Sequence, residues 1–149
     1  MYRVEHESAS RTIPHIQRLM DEHAEEMAHY PHLMPAAPDP ARYQHLEEAG
    51  VLACFLLLHG EDVVGYAVSV FVEHPHHKGL RMLMNDALYV SKAHRKGRNG
   101  ISLMNHVERF GKANGVQLVT WNAQPETPLA ALLPRMGYRE MNTTFCKEV

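Results

Sequence analysis

The sequence predicts a mixed α/β domain, and three observations carry that prediction. Residues 51–58 form a continuous apolar run, a turn signal follows at Gly60, Glu61 and Asp62, and residues 63–72 are apolar again, which reads as an antiparallel hairpin of buried strands. Residues 87–90 read as a further buried strand, followed by a polar turn rich in Arg, Lys and Gly and by a helix with Ile101, Met104, Val107 and Phe110 on one face. Proline, glycine and capping residues divide the remainder into helices and strands, in the order βααβββαβαβ.

Each element has its own signal. Residues 2–7 alternate enough for a first strand, and residues 8–12 supply cap candidates for a helix beginning near Ile13, with Pro14 expected in its first turn, where a missing N–H costs nothing. Ile13, Ile16, Leu19 or Met20, and Met27 give that helix an apolar stripe. The helix ends before Pro31, and the proline-rich connector 34–40 cannot sustain another. Asp39, with Pro40 behind it, caps a second helix that runs to Glu48 and stops at Gly50. A loop containing His74, His76 and His77 leads to the third strand of a meander, residues 80–90. Gly115 ends the amphipathic helix before a strand at 116–122. Thr127 and Pro128 open a short helix that Pro134 breaks late, and residues 138–148 are expected to form a final strand.

A length of 149 residues suits one domain with a single core. With 45% hydrophobic and 21% charged residues the composition is that of a globular protein. The strongest apolar run falls far short of the ~18 residues of a membrane span, and the polar first fifteen residues, with Arg3, Glu5, Glu7 and Arg11, do not read as a signal peptide. A soluble cytoplasmic protein without membrane attachment is expected. Cys54 and Cys146 lack C-x-x-C spacing and are expected to be buried free thiols. The net charge of -2 conceals an asymmetry: residues 1–50 hold nine acids and four Lys/Arg, whereas residues 78–115 hold two acids and eight Lys/Arg. The basic stretch points to an anionic ligand, and charge alone does not separate a phosphorylated small molecule from nucleic acid.

The turn at residues 91–100 carries the chemistry. A helix N-terminus leaves backbone N–H groups unpaired and bears partial positive charge, so a glycine-bearing loop there, flanked by Arg95, Lys96 and Arg98, suits a phosphate or pyrophosphate. Gly97 and Gly100 let the backbone come close. Neither G-x-x-x-x-G-K-[ST] nor G-x-G-x-x-G is present. What remains is a strand, R-x-x-x-x-G and a helix.

In that context Leu88, Tyr89 and Val90, followed by Arg95 and Gly100, resemble motif A of the GNAT acyltransferases, [QR]-x-x-G-x-[GA], with Arg98 at the central glycine position and Gly97 one residue early. The element order is also similar to that of a GNAT domain over essentially the whole chain. The resemblance implies a mixed, mostly antiparallel sheet of about six strands flanked by helices, whose fourth and fifth strands diverge to admit acyl-CoA. It implies that Leu88, Tyr89 and Val90 offer a backbone edge to the pantetheine arm. Arg95, Lys96, Gly97, Arg98, Asn99, Gly100 and Ile101 would then hold the pyrophosphate. Asn122 would hydrogen-bond the pantetheine or, alternatively, cap a loop. The implied cosubstrate is acetyl-CoA, with no metal, and the implied acceptor is an amine on a small molecule or a protein.

The family's C-terminal pattern, N-x-x-A-x-x-x-Y-x-x-x-G-[FY], is matched only by Gly137 and Tyr138, because Glu126, Leu129 and Leu133 stand at the Asn, Ala and Tyr positions. The tyrosine that often protonates the departing thiolate is therefore missing. The tail offers one strand where many relatives have two, which leaves an edge for a partner to cover, a second copy of the chain included. At the usual position of the strand-four base stands Met84. Asp86, on the same face by simple alternation, is the nearest substitute and the candidate catalytic base, its alternative role being that of a strand-bulge residue bonded to backbone. His74, His76 and His77 show no ligand spacing and are expected to border the acceptor pocket rather than hold a metal. The expected function is N-acetyl transfer by direct attack of the amine. Its rivals are an acyl-CoA-binding module without turnover, which Met84 and Leu133 favour, and a nucleic-acid-binding protein, which lacks a recognition-helix motif.

Overall fold

The computed structural model describes residues 1–27 and 29–149. Its elements are β1 (Tyr2–Glu7), α1 (Ala9–Met27), α2 (Pro40–Glu48), β2 (Leu52–His59), β3 (Asp62–Glu73), β4 (Arg81–Val90), α3 (Asn99–Ala113), β5 (Leu118–Thr120) and α4 (Pro128–Arg135). The strands form one sheet in the order β1-β2-β3-β4-β5. β1 to β4 pair antiparallel, whereas β5 is parallel to β4. A parallel neighbour needs a crossover, and α3 provides it.

β2 explains why residues 51–58 are apolar without alternation. Leu52, Cys54, Leu56 and Leu58 pack with Ile16 and Leu19 of α1, while Ala53, Phe55 and Leu57 pack with Leu103 and Val107 of α3. Helices cover both faces of the sheet, so both sides of its central strands are buried. On α3 the buried residues are Leu103, Met104, Val107 and Gly111, with Ile101 and Phe110 only half-buried. Gly111 permits a close approach, since a Cβ there would lie 3.1 Å from Leu83 Cδ2.

Helix α1 begins at Ala9, earlier than the cap signals place it, so Pro14 sits in the second turn. Two contacts pull the start forward. Thr12 donates both its N–H and its hydroxyl to the Ser8 carbonyl, and the Glu47 carboxylate of α2 accepts from the Ala9 N–H. Pro14 removes the bond to Ser10, and because both residues are exposed the freed carbonyl is open to solvent. α2 conforms to its signals: the Asp39 carboxylate accepts from the Arg42 N–H at 3.1 Å, and Gly50 adopts φ +73°.

The C-terminal end departs from expectation. β5 spans three residues instead of 116–122, and residues 138–148 form no strand, so among the described residues the sheet has five strands rather than six. Strand-like side chains are not sufficient where no ladder partner lies alongside. Every residue from Arg139 to Val149 is exposed, and Cys146 is therefore exposed rather than buried. Cys54 is buried, and burial pushes its thiol up to about 12.

Candidate acyl-transfer site

The ladder between β4 and β5 joins Met82 to Leu118, Leu83 to Val119 and Met84 to Thr120, and then stops. At its end the Asn122 side-chain amide donates to the Asn85 carbonyl at 2.9 Å. From Asp86 to Val90, including Leu88 and Tyr89, the outer edge of β4 has no strand beside it among the described residues. The result is a fork with Asn122 at its apex. The Gln124 side chain donates to the Met27 carbonyl at 2.7 Å, so the segment after β5 is tied to the C-terminal end of α1.

Asp86 occupies a bulge. Val68 pairs with Ala87 and Ser69 with Asn85, which leaves Asp86 as the extra residue of β4 and exposed. Asn85, only 2% exposed, stabilises this turnout: its amide donates to the Ala87 carbonyl at 2.8 Å and to the Val68 carbonyl at 3.3 Å. The bulge cancels simple alternation between Met84 and Asp86, yet the carboxylate still serves the α1–α2 side. Burial pushes the Tyr43 phenol up to about 12 and also raises Tyr66, and the Asp86 charge adds to both shifts.

The turn after β4 begins with a single 3₁₀ turn, Lys92–His94. Arg95 Nε donates to the Val90 carbonyl at 2.7 Å, and its Nη1 and Nη2 donate to Glu26 Oε1 and Oε2 at 2.9 and 2.8 Å. This bond lowers the Glu26 pKa and raises that of Arg95. The guanidinium also lies over the Tyr89 ring, 5.2 Å from its centroid. Arg95 thus spends its charge on α1, and the exposed side chains of Lys96 and Arg98 supply the positive charge at the turn.

Gly97 adopts φ +77°, which reverses the chain, and Asn99 Nδ2 holds the reversal by donating to the carbonyls of His94 and Lys96 at 2.9 and 3.3 Å. Arg98 is the N-cap of α3 and makes no side-chain cap bond. Among the described residues the backbone N–H groups of residues 96–101 have no hydrogen-bond partner, and a Cβ on Gly100 would meet nothing within 4 Å. A run of free donors at a helix N-terminus beside open space fits a pyrophosphate.

Helix α1 forms the side wall. His23 Nδ1 lies 2.9 Å from the Tyr66 hydroxyl, and its ring stacks on Tyr89 at 4.9 Å. Tyr89 in turn donates to Glu22 Oε2 at 3.3 Å. Burial lowers the His23 pKa, with Glu26 opposing and Arg95 adding to the shift, so the site disfavours the imidazolium. A cleft of about 530 Å³ opens beside this group, lined by Glu22, Glu25, Glu26, Tyr89, Ser91 and Lys92.

His23, Glu26 and Asn85 were not singled out from sequence. Asn85 carried a usable signal, a polar residue in an apolar strand next to Asp86, whereas His23 and Glu26 were indistinguishable from a solvated helix face. Leu133 is half-buried on α4, and its carbonyl accepts the Tyr138 N–H. The Tyr138 hydroxyl donates to Glu108 on α3, and burial followed by that bond pushes its pKa up to about 12. In the loop before β4 the His74 and His77 rings lie 4.5 Å apart, while His76 and His77 are exposed. Among the described residues no group of three His, Cys, Asp or Glu side chains is placed to hold a metal ion, and no helix is long and apolar enough to cross a membrane.

An open five-stranded sheet flanked by helices, forked between β4 and β5 and ending in a run of free N–H groups, has the architecture of an acyltransferase that uses acyl-CoA. The model of the acetyltransferase (GNAT) family matches residues 16–138, and the chain belongs to that family. Among solved structures, an aminoglycoside acetyltransferase, HMB0005, from an uncultured soil metagenomic sample is similar at 20% identity and TM-score 0.80, over 100% of this chain and 99% of the other. A second, meta-AAC0020, also from an uncultured soil metagenomic sample and solved with sisomicin, is similar at 18% identity and TM-score 0.76, over 99% and 96%. A ribosomal-protein-alanine N-acetyltransferase from Brucella melitensis biovar Abortus 2308 is similar at 16% identity and TM-score 0.75, over 100% and 99%. No curated protein matches the sequence.

Proposed function

We propose that this chain transfers the acetyl group of acetyl-CoA to a primary amine by direct attack. The observation that carries the reading is the open β4 edge, Asp86 to Val90, followed in the chain by the free N–H groups of residues 96–101. An extended thiol arm on a pyrophosphate has the shape and charge for that track. Leu88, Tyr89 and Val90 would meet the arm through backbone, residues 96–101 with Lys96 and Arg98 would hold the pyrophosphate, and Asn122 would border the arm at the fork.

The thioester supplies an activated acyl group, and the protein's task is to position it and manage protons. A primary amine with a pKa of about 10.4 must lose a proton before it attacks. Asp86 would take it, directly or through water, and its exposure on the bulge supports that role. Backbone N–H groups of β4 polarise the carbonyl oxygen. A thiol pKa of about 8.5 lets the sulfur leave unaided, so Leu133 at the family's tyrosine position is tolerable.

Glu26 is paired with Arg95 and Glu22 with Arg18, and the remaining carboxylate lining the cleft, Glu25, favours a cationic acceptor. The acceptor amine belongs to a small molecule or to a protein, the two classes that the names of HMB0005 and of the Brucella enzyme state for those enzymes. Calorimetric titration with acetyl-CoA, followed by a thiol-release assay over a panel of amines, tests the proposal. Binding that raises the melting temperature, and thiol release dependent on an amine, are expected. Folded protein that binds no acetyl-CoA overturns it.

A further inference from the structure

The tail beyond α4 is unused by the site. Residues 139–149 run without helix, turn or bend, every one is exposed, and among the described residues their backbone makes no hydrogen bond within the chain. Phe145 is 91% exposed and Met141 68%. Extended backbone with unpaired donors and acceptors is a template for strand pairing, and the Thr143, Thr144 and Phe145 side chains suit a strand.

The sequence of the tail shows what it pairs with. Laid antiparallel to a second copy about a two-fold axis between Thr143 and Thr144, Arg139 faces the partner's Glu148 and Glu140 faces the partner's Lys147. In the same register Met141 meets the partner's Cys146, Asn142 meets the partner's Phe145, and Thr143 meets the partner's Thr144. All four charged residues of the segment find an opposite charge, which is the self-complementarity that a two-fold interface requires. The outer edge of β5 competes poorly, since Leu118, Val119 and Thr120 offer three residues and no charge. Among the described residues, Glu148 is the one charged side chain of the tail engaged in a salt bridge, an exposed contact with His32 at 2.9 Å that costs little to exchange.

We infer that residues 139–148 are a dimerisation strand that pairs antiparallel with the same segment of a second copy. The tail ladder pairs the backbone groups that face the partner strand and sets Met141 and Phe145 against partner side chains. A two-stranded ribbon is marginal by itself, so association is in the micromolar range.

Sedimentation of the whole protein up to about 1 mM, well above such a dissociation constant, should show twice the 17.0 kDa chain mass. Arg139→Glu and Glu148→Arg each set like charges face to face twice in the dimer. Each should raise the dissociation constant about tenfold or more. Mixing the two variants should restore association as a heterodimer, because every facing pair is then opposite in charge. A Met141→Cys variant should form a covalent dimer through the partner's Cys146 under mild oxidation. Unchanged circular dichroism in each variant separates lost pairing from lost folding. A 17.0 kDa species at every concentration overturns the inference. So does a dimer that ignores both charge reversals and forms no disulfide in the Met141→Cys variant, since it would pair through another surface.

Discussion

Arg95 and Glu26 are joined by a two-point ion pair, with N–O distances of 2.9 and 2.8 Å, that links the turn after β4 to the last stretch of α1. The same guanidinium donates to the Val90 carbonyl and covers Tyr89, so one side chain fixes where the open strand edge ends and the turn begins. The motif's arginine therefore positions the turn through its contacts, and the free N–H groups that follow are available to a ligand.

Loss of this anchor should loosen the turn before it loosens the fold. Arg95→Ala should weaken acetyl-CoA binding about tenfold, while the exposed pair contributes about 1 kcal/mol or less to stability. Glu26 is held below the usual carboxylate range by its bond to Arg95. Its contribution is thus present above the unfolded value and lost as the pH falls through the folded one. Melting curves of wild type and Glu26→Gln should differ near neutrality and converge in acid.

Two glycines in the turn should respond differently. Gly100 has helical backbone and open space around its Cβ position, so Gly100→Val should leave the fold intact and nearly abolish acetyl-CoA binding by crowding the pyrophosphate. Gly97 holds φ +77°, so Gly97→Val should cost about 1–2 kcal/mol in stability as well. Thermal melts run alongside calorimetry distinguish the two.

Asp86 and Asn85 separate chemistry from geometry. Asp86→Asn should reduce turnover ~10²-fold or more with acetyl-CoA affinity unchanged, as loss of a general base does. Asn85→Ala leaves the Ala87 and Val68 carbonyls without its amide and should cost about 1–3 kcal/mol in stability, along with turnover. Asp86→Asn protein with normal turnover on its best acceptor would reduce Asp86 to a bulge residue.

His23 should make the protein sensitive to mild acid. Its ring faces Tyr66 from β3 and Tyr89 from β4, and the charges acting on it are Glu26 on its own helix and Arg95 from the turn. Burial lowers its folded pKa below the unfolded value near 6.5, so between the two values the unfolded chain binds more protons. The stability it provides is whole above about pH 6.5 and is lost as the pH falls through the folded value. Melting temperatures from pH 8 to 5 should decline more steeply for wild type than for His23→Gln.

Sequence alone determined those features whose cause lies within a few residues. The Asp39–Pro40 and Thr127–Pro128 caps, the hairpin at Gly60 and the two-faced burial of β2 follow from local chemistry and apolar pattern, and each stands where the residues place it. The strand–turn–helix at residues 87–113 was legible for the same reason, and with it the family. Tertiary structure decided whatever needs a partner distant in the chain. Asp86 lies on a bulge because Asn85 folds its amide onto a neighbouring strand, and Arg95 turns inward because Glu26, sixty-nine residues earlier, waits on α1. α1 starts at Ala9 because Glu47 reaches it. Residues 138–148 carry a strand pattern without becoming a strand, since β-structure is completed only by the edge that lies beside it.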